Sequence, residues 1–429
     1  MLKQIIRLSI FGISGTILWL TSCTKNYINP GAATDVQVFS SPQGLTGVAI
    51  GLQRVYTAGR ASSLYNRVTI NGLVTKELTV INQGNTGEYQ LQQGGGSVDG
   101  TNSLLGGLWT SSNKIIYDAD NVIEGANGLT DKAYASGLIG YASIFKALAV
   151  GDLSMFWEKV PEATGKNVGF ISRADGFTKA INTINDALAL INANPISTTF
   201  LANIPAGINI PNTLHALKAR FSLFLGNYPQ ALTEANAASL TVKSTFNFST
   251  ANLNPIFETH TSTNNVCAAI DNTTLGLPAG LQPDAGDKRV PFYTTSAYAS
   301  KIAGFGATST IPWPVYLPGE MILTKAEAYA RQNDVTNALI ELNKVVTKTA
   351  SGDVYGVGAE LPPLTGPYTP TQLLDLIYKH RSIELYMSGL KLEDMRRFGR
   401  PNSERTRNLL PYPFLERDNN PNTPPDPGF

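Results

Sequence analysis

Imidazole chemistry has little to work with in this chain. His215, His260 and His380 are its only histidines, and none has a second histidine four residues on, as a helical zinc site requires. Neither a glycine-flanked serine elbow nor a phosphate-binding glycine loop occurs. Asp118, Asp120, Asn121 and Glu124 are spaced like part of a calcium loop, but the central glycine is missing and they fall on a helical pattern. They read as a solvated helix face. Scattered carboxylates are still available for a glycosidase-type acid pair, which linear spacing neither builds nor excludes. The expectation is a protein that is not an enzyme, uses no cofactor and has no recognisable metal-ligand set, with a structural metal left open.

The two cysteines differ in kind. Lys3 and Arg7 precede the apolar run from Leu8 to Leu20, and Thr21 and Ser22 lead directly into Cys23. About 20 apolar residues are needed to cross a bilayer, so this run reads as a signal peptide over residues 1–22. Small residues before a cysteine form the bacterial lipobox, in which the thiol is lipidated and becomes the first mature residue. Each buried acyl CH₂ contributes about 0.8 kcal/mol, so several chains hold a protein to a membrane without a spanning helix. Residues 23–40 then form a lipidated tether, and no later segment is expected to span. Cys267 lies in the apolar run Val266–Ile270 and reads as a small buried hydrophobe. No intrachain disulfide is expected once Cys23 is acylated.

Composition narrows the class further. With 33 basic and 32 acidic residues the net charge is +1, which disfavours nucleic acid as a partner. Only 15% of residues are charged, against about 25% in ordinary domains, while Gly (39) and Pro (25) are plentiful. A polar, weakly charged surface suits hydrogen bonding to neutral ligands.

These groups must be held by a scaffold, and the apolar periodicity says which. Leu45, Val48, Ala49, Leu52, Val55 and Tyr56 recur at helical spacing, as do Ile115 to Ala126, Leu138 to Ala149 and Phe177 to Ile191. Ser172, with Asp175 three residues on, caps the last of these. Ala219, Ala231 and Ala235 stand at offsets 0, 12 and 16; Ala326, Ala338 and Leu342 repeat those offsets. Each set spans two helices joined at Gly226-Asn227 or Asn333-Asp334, as in tetratricopeptide pairs. A third pair is split, with 151–173 inserted between its helices. The segments 82–107 and 241–318 read as long irregular loops, which in a helical protein are functional or disordered. The fold class is therefore all-α: a tetratricopeptide-like helical repeat scaffold with long irregular loop insertions, forming one domain over 41–429.

The C-terminal third carries a resemblance. Glu320–Ala330 with Asn333-Asp334 and Ala338…Leu342 is similar to the repeat helix pair of the SusD/RagB family. Arg381, Glu384-Leu385, Gly389, Asp394, Arg396-Arg397 and Gly399 resemble that family's signature, and Pro411 to Phe429 its closing segment. Trp109…Asp120-Asn121 and Asp287-Lys288-Arg289 match in kind. Ser388 and Lys391 depart from it, standing where Glu and Arg are usual. No acidic pair follows Cys23, although such a pair often marks surface export in related bacteria. The charges at Arg381, Glu384, Asp394, Arg396 and Arg397 suit a salt-bridged clasp, because guanidinium forks pair bidentately with carboxylates.

The resemblance implies a SusD-like nutrient-binding lipoprotein of the outer membrane, anchored by lipid and facing the cell surface. Its implied partners are a SusC-like TonB-dependent transporter and an oligosaccharide ligand. A peptide ligand is the alternative within the same uptake system, and a lipid-anchored hydrolase the alternative outside it. A sugar shows apolar C–H faces ringed by hydroxyls, so its site needs aromatic platforms beside amides. The two long loops offer Asn82, Gln83 and Tyr89 in one, and Tyr293, Tyr298, Phe305 and Trp313 in the other. Trp109 and Trp157 flank helices and are expected in the core.

Overall fold

The computed structural model describes residues 38–428. The signal segment, Cys23 and most of the tether lie outside the described residues. α1 (Pro42–Thr57) starts at Ser41, whose hydroxyl accepts the Gly44 N–H, and Pro42 sits in its first turn, where no amide donor is lost. It buries Leu45, Ala49, Leu52 and Tyr56, the stripe expected of it. α2 (Ser63–Val74), α3 (Thr86–Gln93), α4 (Ser103–Asn127) and α5 (Lys132–Phe156) follow. α6 (Arg173–Ala193) begins at the Ser172 cap, which accepts the Asp175 N–H at 3.1 Å.

Two expectations change here. The stretch 82–107 is not one loop: Thr86–Gln93 is helical, and α4 already begins at Ser103. α5 is also long and apolar enough to span a membrane, with 25 residues, but 89% of its apolar window is buried inside the protein. It is a core helix. Glycines make that burial possible, since a β-carbon at Gly137 or Gly151 would collide with the Phe200 or Phe221 ring.

After α7 (Thr198–Ala202) come α8 (Ile210–Phe224) and α9 (Tyr228–Ala237), the first repeat pair. α10 (Arg289–Tyr293) is a short piece within the long irregular segment, and α11 (Pro318–Arg331) with α12 (Val335–Val346) forms the second pair. Ala219, Ala231, Ala235, Ala326, Ala338 and Leu342 are all buried, so the shared offsets mark close helix approach. α5 packs on α6 as the split third pair, with the hairpin of β2 (Lys159–Pro161) and β3 (Phe170–Ser172) between them. The segment 241–318 is held by short strands. β4 (Thr245–Phe246) pairs with β6 (Trp313–Pro314), and β5 (Cys267–Ala269) with β1 (Leu78–Val80). Cys267 is fully buried, which pushes its thiol well above its usual range.

The C-terminal charges form a buried clasp around α13 (Pro370–Glu384) and α14 (Lys391–Arg397). Arg381 donates to both oxygens of Asp394, at 3.0 and 3.1 Å. Arg397 joins Asp394 to Glu327 on α11. Glu384 accepts from Arg289 at 3.2 Å and pairs with Lys348. A β-carbon at Gly319 would collide with that carboxylate, so α11 and α13 can meet there only through glycine. Burial pushes the Asp394 carboxyl up, but Arg381 and Arg397 outweigh it and hold the group below its usual range. α15 (Phe414–Asn419) closes the chain, its Glu416 accepting the Trp109 indole N–H at 3.1 Å. Trp109 and Trp157 are both core residues.

Candidate binding cleft

A cleft of about 660 Å³ opens in the long irregular segment, with Tyr355 reaching in from beyond α12. Phe305 is the hub of its aromatic wall. Its ring centroid lies 5.4 Å from Phe292 and 6.0 Å from Tyr355, both edge to face. Gly304, at φ +53°, turns the chain beside Phe292; a β-carbon there would press on that ring at 3.1 Å. Phe292, Phe305 and Tyr355 are each partly exposed, which leaves aromatic surface for a ligand.

Polar groups line the rest. The Thr245 hydroxyl donates to Asn247 Oδ1 at 2.8 Å, and Asn247 Nδ2 donates to the Ala206 carbonyl at 2.8 Å. The Tyr355 hydroxyl accepts the Ser244 N–H at 2.8 Å and donates to the Ser244 carbonyl at 3.0 Å. Burial pushes this phenol up to about 12, so it stays a neutral donor at physiological pH. The exposed Lys243 ammonium stands 5.7 Å from the Tyr355 ring centroid. Among the described residues Lys243 is the one charged side chain lining the cleft, and no carboxylate pair lines it for acid–base work. The arrangement can stack a flat apolar face and hydrogen-bond its edge.

The residues singled out from sequence do not gather at one place. Tyr293 and Trp313 are each only 4% exposed and stand behind the cleft. The Trp313 ring packs on Phe305 at 6.2 Å, and the Tyr293 hydroxyl donates to the Glu384 carbonyl. The space they enclose with Phe305 is about 30 Å³, enough for a water molecule but not for a sugar ring. Tyr298 is 40% exposed, in the loop closed by the Thr294–Ile302 bridge, and does not line the cleft. Asn82, Gln83 and Tyr89 also lie elsewhere. Asn82 accepts the Gly84 N–H in the turn before α3, and Tyr89 sits on α3 itself. Beside that turn is a polar recess of about 420 Å³. There Arg60 pairs with Glu88 at 2.6 Å and donates to Asn85 at 3.0 Å. Among the described residues no aromatic side chain lines this recess, and the Arg60 and Glu88 charges neutralise each other.

Among the described residues no cluster of His, Cys, Asp and Glu is suited to hold a metal ion. Asp118 pairs with Lys114 and Asp120 with Lys146 along the face of α4.

Known proteins share both the motif and the architecture. Residues 287–425 match the model of the SusD family. That match covers about a third of the chain, its C-terminal part. The SusD-like fold extends well beyond those residues. A SusD superfamily protein from Bacteroides thetaiotaomicron superposes with a TM-score of 0.70 at 16% identity, covering 90% of this chain and all (100%) of that one. A SusD-like carbohydrate binding protein from Bacteroides fragilis gives 0.62 at 14% identity, over 84% and 87% of the two chains. NanU of B. fragilis gives 0.63 at 13%, over 94% and 100%. No curated protein matches the sequence. In this SusD-like chain Lys243, Asn247, Phe292 and Tyr355 were not legible as site residues. The available signal was an aromatic set among glycines, as in Gly352-Asp-Val-Tyr355-Gly-Val-Gly358.

Proposed function

We propose that the protein is a non-catalytic glycan-binding lipoprotein, and that the Phe292–Phe305–Tyr355 cleft is where the sugar stacks. The observation that carries this reading is the aromatic cleft itself, with polar groups at its edge, on the SusD fold. The relative described as a carbohydrate binding protein supports it. Tyr293 and Trp313 then act from behind, fixing the Phe305 ring. The lipobox at Cys23 and the family's character support a lipid-anchored domain at the outer-membrane surface, handing its ligand to a TonB-dependent transporter.

Isothermal titration of the full-length protein against a panel of oligosaccharides tests the site. At least one should bind without being cleaved. Phe292→Ala should weaken it about five- to 150-fold, the loss of one stacking platform at about 1–3 kcal/mol, by analogy with base stacking. If Phe292→Ala binds like the parent, or if products accumulate, the reading is wrong. Cys23→Ala should move the protein from membranes to soluble fractions; retention on membranes would remove the anchor.

A further inference from the structure

We propose that the preferred ligand of the cleft is an anionic glycan, with a carboxylate or sulfate group received by Lys243. This rests on the reading of the cleft as the sugar site and adds the chemical class of the sugar.

The argument is an inventory of partners. Thr245, Asn247 and the Tyr355 hydroxyl each have a hydrogen-bond partner within the chain, so their orientations are fixed before a ligand arrives. Lys243 has no hydrogen bond or ion pair among the described residues; its one contact is with the Tyr355 ring. An ammonium group has three donors and no acceptor capacity, so it asks for acceptor oxygens. Hydrogen bonds to an ionised acceptor are roughly twice as strong as neutral ones. Among the described residues no acidic side chain lines the cleft, and the nearby Asp353 is already paired with Lys348. The position matters as well. An ammonium beside the Tyr355 ring can meet an acidic substituent on the edge of a sugar whose face lies against the aromatic wall.

Lys243 is exposed, so the preference should be modest, on the order of two- to fivefold, as for exposed ion pairs. The probes are oligogalacturonides with their methyl esters, and sulfated chondroitin oligosaccharides with their desulfated forms. Full-length protein should bind the charged member of one pair more tightly, and the pair that responds separates carboxylate from sulfate. Lys243→Met should abolish the preference, read as the ratio of charged to neutral affinity within each pair, and Lys243→Glu should reverse that ratio. If neutral and charged members bind equally, with Phe292→Ala weakening both, the anionic class is wrong and the cleft stands. If the preference survives Lys243→Glu, the charge is read elsewhere and the proposal fails. If no oligosaccharide binds in a Phe292-dependent way, both readings fail together.

Discussion

Around α13 and α14, Arg381, Asp394, Arg397, Glu327, Arg289 and Glu384 are all buried or nearly so, and each has at least one opposite charge against it. Among the described residues that line the cleft there is one charged side chain, exposed and without an ionic partner. The contrast fits the role proposed for the cleft. Leaving a buried charge unpaired is costly, so the clasp favours the arrangement of α11, α13 and α14 in which each charge keeps its partner. A cleft whose aromatic rings are partly exposed and whose cation has no ionic partner has room for a second molecule. The weakly charged composition is thus unevenly spread, with many of the charges inside the scaffold.

The largest effect that separates the two regions should come from the clasp. Asp394→Asn leaves Arg381 and Arg397 buried with less negative charge between them, at a cost of about 3–5 kcal/mol. Denaturant unfolding should show that loss, while glycan affinity of the folded fraction stays as in the parent. If affinity falls alongside stability, the two regions are coupled and the division of labour is wrong.

The same contrast explains what the sequence could convey. The clasp and the repeat pairs were legible because their signals are local: charges three residues apart on α14, and alanines at matched offsets across a turn. α2 was not, because every residue from Ser63 to Val74 is buried and a helix surrounded on all sides has no polar face to create a period. Trp313 lies between two prolines just before a repeat helix, a position equally suited to capping the core or facing a ligand, and pairing of β6 with β4 carries it inside. The cleft draws on residues from 243 to 355, so its walls are a product of tertiary packing rather than of any sequence motif. Phe305 alone of its aromatic wall could be picked out beforehand, as one aromatic among several in a glycine-rich loop.

A smaller effect should arise where the two regions meet, at Glu77. Its carbonyl accepts from Ile270 N–H in the long segment and from the Tyr386 hydroxyl beside the clasp, while its carboxylate is buried near the Met387 backbone amide and Lys391, which favour its charged form. Burial raises this carboxyl to about 7, with Lys391 opposing the shift. The folded state therefore binds a proton more tightly than the unfolded chain. Between about pH 4.5 and 7 this group should reduce stability as pH rises, by at most about 3 kcal/mol, with no further change above 7. His260 and His380 act oppositely over part of that window. Burial holds both below their usual value, so they favour the folded state as pH rises towards about 6.5. A single melting curve mixes the two signs, whereas the difference between parent and Glu77→Gln isolates the carboxylate. That difference should be near zero at pH 4.5 and grow in favour of Glu77→Gln up to pH 7–8. Loss of the anion near Lys391 should trim it below the full value. A difference that does not vary with pH would mean that Glu77 is already ionised in the fold, and that the clasp's pairing of charges extends to this seam through Lys391.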